Sequence, residues 1–77
     1  MSKNKDLNLK IAQNVRKYRN LKGISHEELE ELTGLNYETI VQIETGKLKE
    51  VSIQDIETIA ETLDVSIDEI IGENEYK

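Results

Sequence analysis

The segment GLNYETIVQIETGK, residues 34–47, carries side chains suited to directional hydrogen bonding. Asn36 and Gln42 have amides that both donate and accept hydrogen bonds, whereas Glu38 and Glu44 have carboxylates that only accept them. Such groups suit the recognition of another polar surface. Between Asn36 and Glu44 there is no positive charge, so this segment by itself is poorly suited to bind a polyanion.

Composition offers little for catalysis or metal binding. The chain has no cysteine and a single histidine, His26, which cannot form a zinc site alone. The sequence has no glycine-rich phosphate loop, and its acidic residues do not have the spacing of a calcium loop. The acidic pairs Glu27–Glu28 and Glu30–Glu31 are typical of a solvated helix face. We therefore expect no enzyme, no cofactor and no metal ion.

Length and charge indicate one small domain with an uneven charge distribution. The chain has 77 residues and a formal net charge of −6. Residues 1–22 hold seven bases and one acid (+6), and residues 23–77 hold three bases and fifteen acids (−12), which sum to −6. Because salt screens charge over about 8–10 Å, the basic region can keep a local positive face. Alternatively, its lysines only solvate a surface helix.

No segment resembles a membrane span or a secretory signal. No apolar run approaches the roughly 20 residues of a membrane span. The start, MSKNKDLNLK, has basic residues but no apolar core after them. We expect a cytoplasmic protein without membrane contact.

Start and stop signals predict five helices, at about residues 8–22, 26–33, 37–45, 53–63 and 67–71. Each glycine follows a stretch with helical spacing, where it can close a helix in the left-handed conformation. Serines that begin S-x-x-acid sequences, together with an asparagine, are candidate caps at helix starts. The closing glycines are Gly23, Gly34, Gly46 and Gly72, and the caps are Ser25, Asn36, Ser52 and Ser66.

These signals predict an all-α fold with three regions. Residues 1–7 form a flexible basic arm, residues 8–72 the domain, and residues 73–77 a frayed tail. Apolar residues at helical spacing, or just outside helices, define the expected core. They are Ile11, Val15, Tyr18, Ile24, Leu35, Ile56, Ile59, Ala60, Leu63, Val65, Ile70 and Ile71.

Helices two and three are separated by only three residues, Gly34, Leu35 and Asn36. A link this short favours a steep crossing of the two helices, which is the geometry of a helix-turn-helix. An ordinary helical hairpin in a small bundle has a similar link, so the spacing alone leaves both arrangements open.

Four stretches match a known pattern in register and without gaps over residues 11–71. They are IAQNVRKYRNLKGIS, EELEELTGLN, ETIVQIETGK and VSIQDIETIAETLDVSIDEII. Together they resemble the Cro/repressor-type helix-turn-helix family of phage and bacterial transcriptional regulators. The resemblance implies a compact five-helix, lambda-repressor-like domain that usually binds operator DNA as a homodimer. The proline-free loop before helix four is also similar to that of controller proteins of restriction–modification systems.

The resemblance implies roles for residues around helix three. In the family, an arginine late in helix one pairs with the glutamate that ends the recognition helix, which implies a structural ion pair between Arg19 and Glu44. The residue after the serine cap of helix two, usually glutamine, binds phosphate, and here it is His26. Alternatively, His26 is exposed and has no task. The other implied phosphate contacts are Ser25, Arg19, Lys47 and Lys49.

Implied base contacts lie at the start and on the outer face of helix three: Asn36, Tyr37, Glu38, Thr39, Val41 and Gln42. Gln42 can pair with adenine through two hydrogen bonds, and Glu38 can accept one from cytosine N4. Phosphate contacts supply most of the affinity, so a base-reading helix needs no cation of its own. The same polar residues would also be ordinary on any exposed helix face.

Several residues depart from the family pattern. Glu30 stands where a small alanine is usual, and its carboxylate must turn to water or find a partner. Leu32, Leu48 and Val51 are expected to be exposed, and with helix five they are candidates for a dimer interface. Glu50 and Val51 replace a polar residue and a proline, which predicts a more flexible loop.

The sequence therefore supports two hypotheses. The first is a transcriptional regulator, expected to be a repressor, that binds a palindromic DNA operator as a homodimer and is nucleoid-associated when bound. The second is a protein-binding helix-turn-helix, an antirepressor or assembly module without DNA binding. The acidic helix three and the exposed apolar residues motivate the second. A protein antagonist of the regulator is a further possible partner.

Overall fold

The computed structural model describes residues 3–47 and 51–72, with side chains from residue 7 onward. Its five helices are α1 (Lys3–Lys22), α2 (His26–Thr33), α3 (Tyr37–Thr45), α4 (Ile53–Leu63) and α5 (Ile67–Ile71). The described residues contain no strand, and the predicted all-α, five-helix architecture is confirmed.

Helices α2 to α5 have the bounds that the sequence predicts, whereas α1 starts earlier. It begins at Lys3, five residues before the expected start at residue 8. Residues 3–7 are therefore helical, within the segment predicted as a flexible arm. The reason is local, because these residues include neither glycine nor proline and nothing in them stops the helix. The predicted division into arm, domain and tail remains a prediction.

The expected caps are present at the helix ends. Ser25 and Ser66 form complete capping boxes, in which the serine hydroxyl accepts from the backbone N–H three residues later and the glutamate there accepts from the serine N–H. Asn36 and Ser52 also accept from the N–H three residues on. Among the described residues, Asp64 is the one non-glycine with positive φ, at 61°, where it closes α4.

The core lies where α1 packs against α3, α4 and α5, and where α2 packs against α3 and α4. Leu29, Ile40 and Ile70 at its centre have no exposed surface. The predicted core residues of α1, α4 and α5 lie in this cluster or pack against it. Asn14 of α1 also donates a hydrogen bond to the carbonyl of Ile70, at 2.8 Å, which joins the first and last helices.

Val51 was expected to be exposed, and the structure corrects this prediction: its side chain is half-buried against the core. It stands just before the Ser52 cap of α4, a position from which an apolar side chain can pack against the first turns of the helix. Leu32 is 62% exposed, as expected. Leu48 and Glu50 lie outside the described residues.

Glu30 is half-buried, and α2 and α3 still pack against each other. None of the described helices combines the length and the apolar character needed to cross a membrane.

Candidate nucleic-acid interface

Helix α3 has one buried side and one side open to solvent. Ile40, Ile43 and Glu44 are buried, because residues three and four apart lie on the same face of a helix. Tyr37 and Glu38 are exposed. Thr39, Val41 and Gln42 are half-buried.

The structure leaves all six predicted base-contacting residues exposed or half-buried, at the start of α3 or further along it. Asn36 has a second task, because its side-chain oxygen caps the helix by accepting from the Thr39 N–H at 2.8 Å. Its amide N–H groups are a separate donor. Glu38 lies in the first turn of α3, where the helix dipole favours a negative charge. Contact of these residues with bases remains a prediction.

Glu44 and Arg19 form a buried ion pair that fixes α3 to α1. The Arg19 Nε lies 2.6 Å from Glu44 Oε2, and a second guanidinium nitrogen lies 3.1 Å from Oε1. The third nitrogen donates to the carbonyl of Ile24 at 2.8 Å. The Glu44 side chain is 3% exposed and that of Arg19 is 12% exposed. Glu44 therefore has a structural role in joining α3 to α1, and its charge is not on the surface.

Arg16 is a residue that sequence reasoning missed. One of its guanidinium nitrogens donates to the backbone carbonyl of Glu44, near the end of α3. A cation at this end of a helix is favourable because the last carbonyls are unpaired and partly negative. The spacing to Arg19 is a signal that could have found it, since residues three apart in α1 lie on one face.

The structure turns His26 towards protein rather than outward. Its Nε2 lies 2.9 Å from Glu44 Oε1. Its ring also meets the ring of Tyr37 edge-to-face, with the centroids 5.9 Å apart. His26 therefore has protein partners in α3, and phosphate contact by this residue remains a prediction.

The other predicted phosphate contacts occupy different positions around α3. Ser25 is exposed at the start of α2, with its hydroxyl accepting from the Glu28 N–H at 3.1 Å. Lys47 is exposed two residues after α3 ends. Arg19 has its guanidinium occupied by the scaffold contacts described above. Lys49 lies outside the described residues.

A family model described as helix-turn-helix matches residues 15–70. The match covers most of the chain, and the chain belongs to this family, as its resemblance to Cro/repressor-type regulators predicts. It is a family of DNA-binding regulators that are generally not enzymes. No curated protein sequence matches the chain significantly.

Solved structures similar to this chain are regulators as well. A hypothetical transcription factor, NHTF from Neisseria, is 28% identical with a TM-score of 0.81, over 92% of this chain and 80% of that one. The restriction-modification controller protein C.AhdI from Aeromonas hydrophila is 33% identical with a TM-score of 0.77, over 82% of this chain and 94% of that one.

A transcriptional regulator of the HTH_3 family from Vibrio cholerae shares the fold, with a TM-score of 0.82 and 24% identity. The match covers 92% of this chain but only 39% of the Vibrio protein.

Proposed function

We propose that this protein binds double-stranded DNA with sequence specificity and regulates transcription in the cytoplasm, with repression as the expected mode. One observation carries the proposal. The Arg19–Glu44 pair buries one of the two acids that α3 would otherwise present to DNA. The open side of the helix is then polar and hydrogen-bonding, with a single carboxylate, that of Glu38.

Base recognition is proposed for the open side of α3, inserted into the major groove. Gln42 pairs with adenine through its amide, and Asn36 contacts base or phosphate through its N–H groups. Thr39 and Val41 contact a thymine methyl, and Tyr37 contacts sugar or phosphate.

Affinity in this proposal comes from phosphate contacts next to α3. Lys47 and Lys49 follow the helix, and Ser25 precedes it at the start of α2, where the backbone N–H groups and the helix dipole favour an anion. Two subunits bind a palindromic operator, with their recognition helices about 34 Å apart in successive major grooves. The similarity to regulators such as C.AhdI supports this assignment.

The test is a change of Gln42 to Ala, measured on DNA sites selected from a random pool. We expect Gln42→Ala to bind the selected site about 1–3 kcal/mol more weakly and to lose preference at one base pair per half-site. Gln13→Ala is the matched control, because Gln13 is an exposed glutamine on α1. If Gln42→Ala distinguished DNA sequences as well as the wild type does, Gln42 would not contact a base.

The second candidate function is protein binding without DNA. It is favoured by the exposed Leu21 and Leu32, with 72% and 62% of their surfaces open. A shift assay with bulk duplex DNA at about 50 mM salt separates the two, since non-specific phosphate contacts are strongest at low salt. Folded protein at tens of micromolar that leaves the duplex unshifted would favour the protein-binding function.

A further inference from the structure

His26 contacts α3 near both of its ends. The imidazole Nε2 lies 2.9 Å from Glu44, the second-to-last residue of the helix. The ring centroid lies 5.9 Å from that of Tyr37, the first residue, with the planes 86° apart. Tyr37 and Glu44 are seven residues apart, which is about two helical turns, so they lie on one side of α3. One side chain of α2 therefore holds α3 at two points.

The chemistry of the contact with Glu44 requires His26 to donate. An ionised carboxylate only accepts, so Nε2 must carry a hydrogen, in either the neutral or the protonated imidazole. Arg19 supplies the other donors to the same carboxylate, at 2.6 and 3.1 Å. His26 is 34% exposed whereas Glu44 is 3% exposed, so the imidazole covers the side of the pair nearest to solvent.

We infer that His26 is a positioning residue for α3, which acts on DNA recognition through Glu44 and Tyr37 rather than by binding a phosphate. This inference rests on the proposed DNA-binding function. The orientation of α3 decides whether its open side meets base edges. A hydrogen bond to a base weakens steeply when its distance or angle departs from the optimum. Among the described residues, the charged group in contact with His26 is Glu44, and Arg19 binds the same carboxylate.

A positioning residue and a phosphate ligand differ in how their removal changes DNA affinity and its salt dependence. A lost phosphate contact weakens binding to all sequences alike and makes the salt dependence of the binding constant shallower. A lost positioning contact weakens the specific complex, leaves non-specific binding unchanged and leaves the salt slope unchanged. The two roles therefore predict different results from the same variant.

The test compares His26→Leu, which cannot donate, with His26→Gln, which keeps a neutral N–H donor on a side chain of similar reach. We expect His26→Leu to bind the selected site about tenfold more weakly, with non-specific affinity and salt slope as in the wild type. His26→Gln should recover most of the loss with the salt slope still that of the wild type, because glutamine that restored binding through a phosphate would make the slope steeper. Gln13→Leu, an exposed polar-to-leucine change on α1, is the control.

Circular dichroism and thermal melting establish that each variant is folded. If His26→Leu is unfolded, His26→Asn replaces it, because its amide is one methylene shorter and falls short of Glu44. A uniform loss on all sequences with a shallower salt slope would overturn the inference in favour of phosphate contact. Binding by His26→Leu equal to that of the wild type would overturn it as well.

Amide hydrogen exchange in the free protein tests the role of His26 independently of DNA binding. The α3 amides should exchange faster in His26→Leu than in the wild type, and His26→Gln should restore their protection. This result does not depend on DNA, so it tests the positioning of α3 even if neither protein binds a duplex. Unchanged exchange in α3 would show that His26 does not hold the helix.

Discussion

Glu44 is a charged residue that the fold has turned inward. Its carboxylate binds Arg19 and His26, and its backbone carbonyl accepts from Arg16. Three side chains, two from α1 and one from α2, thus converge on one residue of α3. A buried charge is tolerated only with such partners, because an ionised group without them loses its hydration at high cost.

Removal of the Glu44 charge should destabilise the domain strongly. Glu44→Gln leaves the largely buried guanidinium of Arg19 without a counter-ion, at a cost of about 3–5 kcal/mol in the free energy of unfolding. This is a large share of the stability of a domain this size. Urea denaturation measures it, with Glu38→Gln as the control on the exposed side of the same helix. Equal stability of the two variants would contradict the structural role of Glu44.

Glu38 is the one acid in α3 that remains exposed towards the proposed groove. Glu38→Gln removes repulsion from phosphates, so non-specific DNA should bind more tightly. The selected site should lose its preference for cytosine at one position, because the amide also offers a donor. Site selection with both proteins measures this. If the base preference is unchanged while non-specific binding rises, Glu38 serves as a first-turn charge of α3 and does not read a base.

At the scale of elements, a glycine in the left-handed backbone conformation lies on each side of α3. Gly34, before the helix, has φ +81°, and Gly46, after it, has φ +72°. A β-carbon on Gly46 would lie 3.0 Å from the Cδ2 of Leu9 on α1, whereas one on Gly34 would meet nothing within 4 Å. A side chain at either position would therefore be strained by the left-handed conformation, and at Gly46 it would also collide with Leu9.

Alanine at each position should separate these two costs. Gly34→Ala should lower the free energy of unfolding by about 1–2 kcal/mol, through the left-handed conformation alone. Gly46→Ala should cost more, because Leu9 must also move. Chemical denaturation measures both variants.

A double-mutant cycle is the control for the steric part. Leu9→Ala and Gly46→Ala should be coupled, with the pair less destabilised than the sum of the single changes, whereas Leu9→Ala and Gly34→Ala should be additive. Additivity in both cycles would contradict the contact between Leu9 and Gly46.

At the scale of the whole molecule, the net charge of −6 coexists with a basic first helix and a lysine after α3. If each subunit of a dimer contacts three or four phosphates, the logarithm of the binding constant should fall against that of salt concentration with a slope of about −5 to −7. The net charge then repels DNA only at long range, where salt screens it, while the lysines and arginines near α3 make the contacts with phosphates.

Lys47→Ala should weaken all sequences alike and make this slope shallower by about 2 for a dimer, one contact for each subunit. Titration of binding at several salt concentrations measures the slope. Lys17→Ala is the control, since it changes net charge equally on an exposed part of α1 outside the proposed contacts. The same loss of slope in both variants would indicate a general charge effect in place of a contact at Lys47.

The sequence by itself determined the bounds of α2 to α5, because their signals are local. A serine or asparagine cap acts within three residues, and a glycine closes the helix that directly precedes it. The family pattern also pointed to Arg19 and Glu44, which the structure places in contact. The signal was weaker at the start of α1, where the sequence offers several cap candidates, Ser2, Asn4 and Asp6, and no single one marks a first residue.

Only the tertiary structure decided which side chains meet across the fold. His26 and Glu44 are 18 residues apart and Arg16 and Glu44 are 28 apart, and no local pattern relates them. Packing of α1 and α2 against α3 brings His26 to the carboxylate of Glu44 and Arg16 to its backbone carbonyl, because buried polar groups need hydrogen-bond partners. The same packing places His26, a predicted phosphate ligand, beside Glu44 and Tyr37.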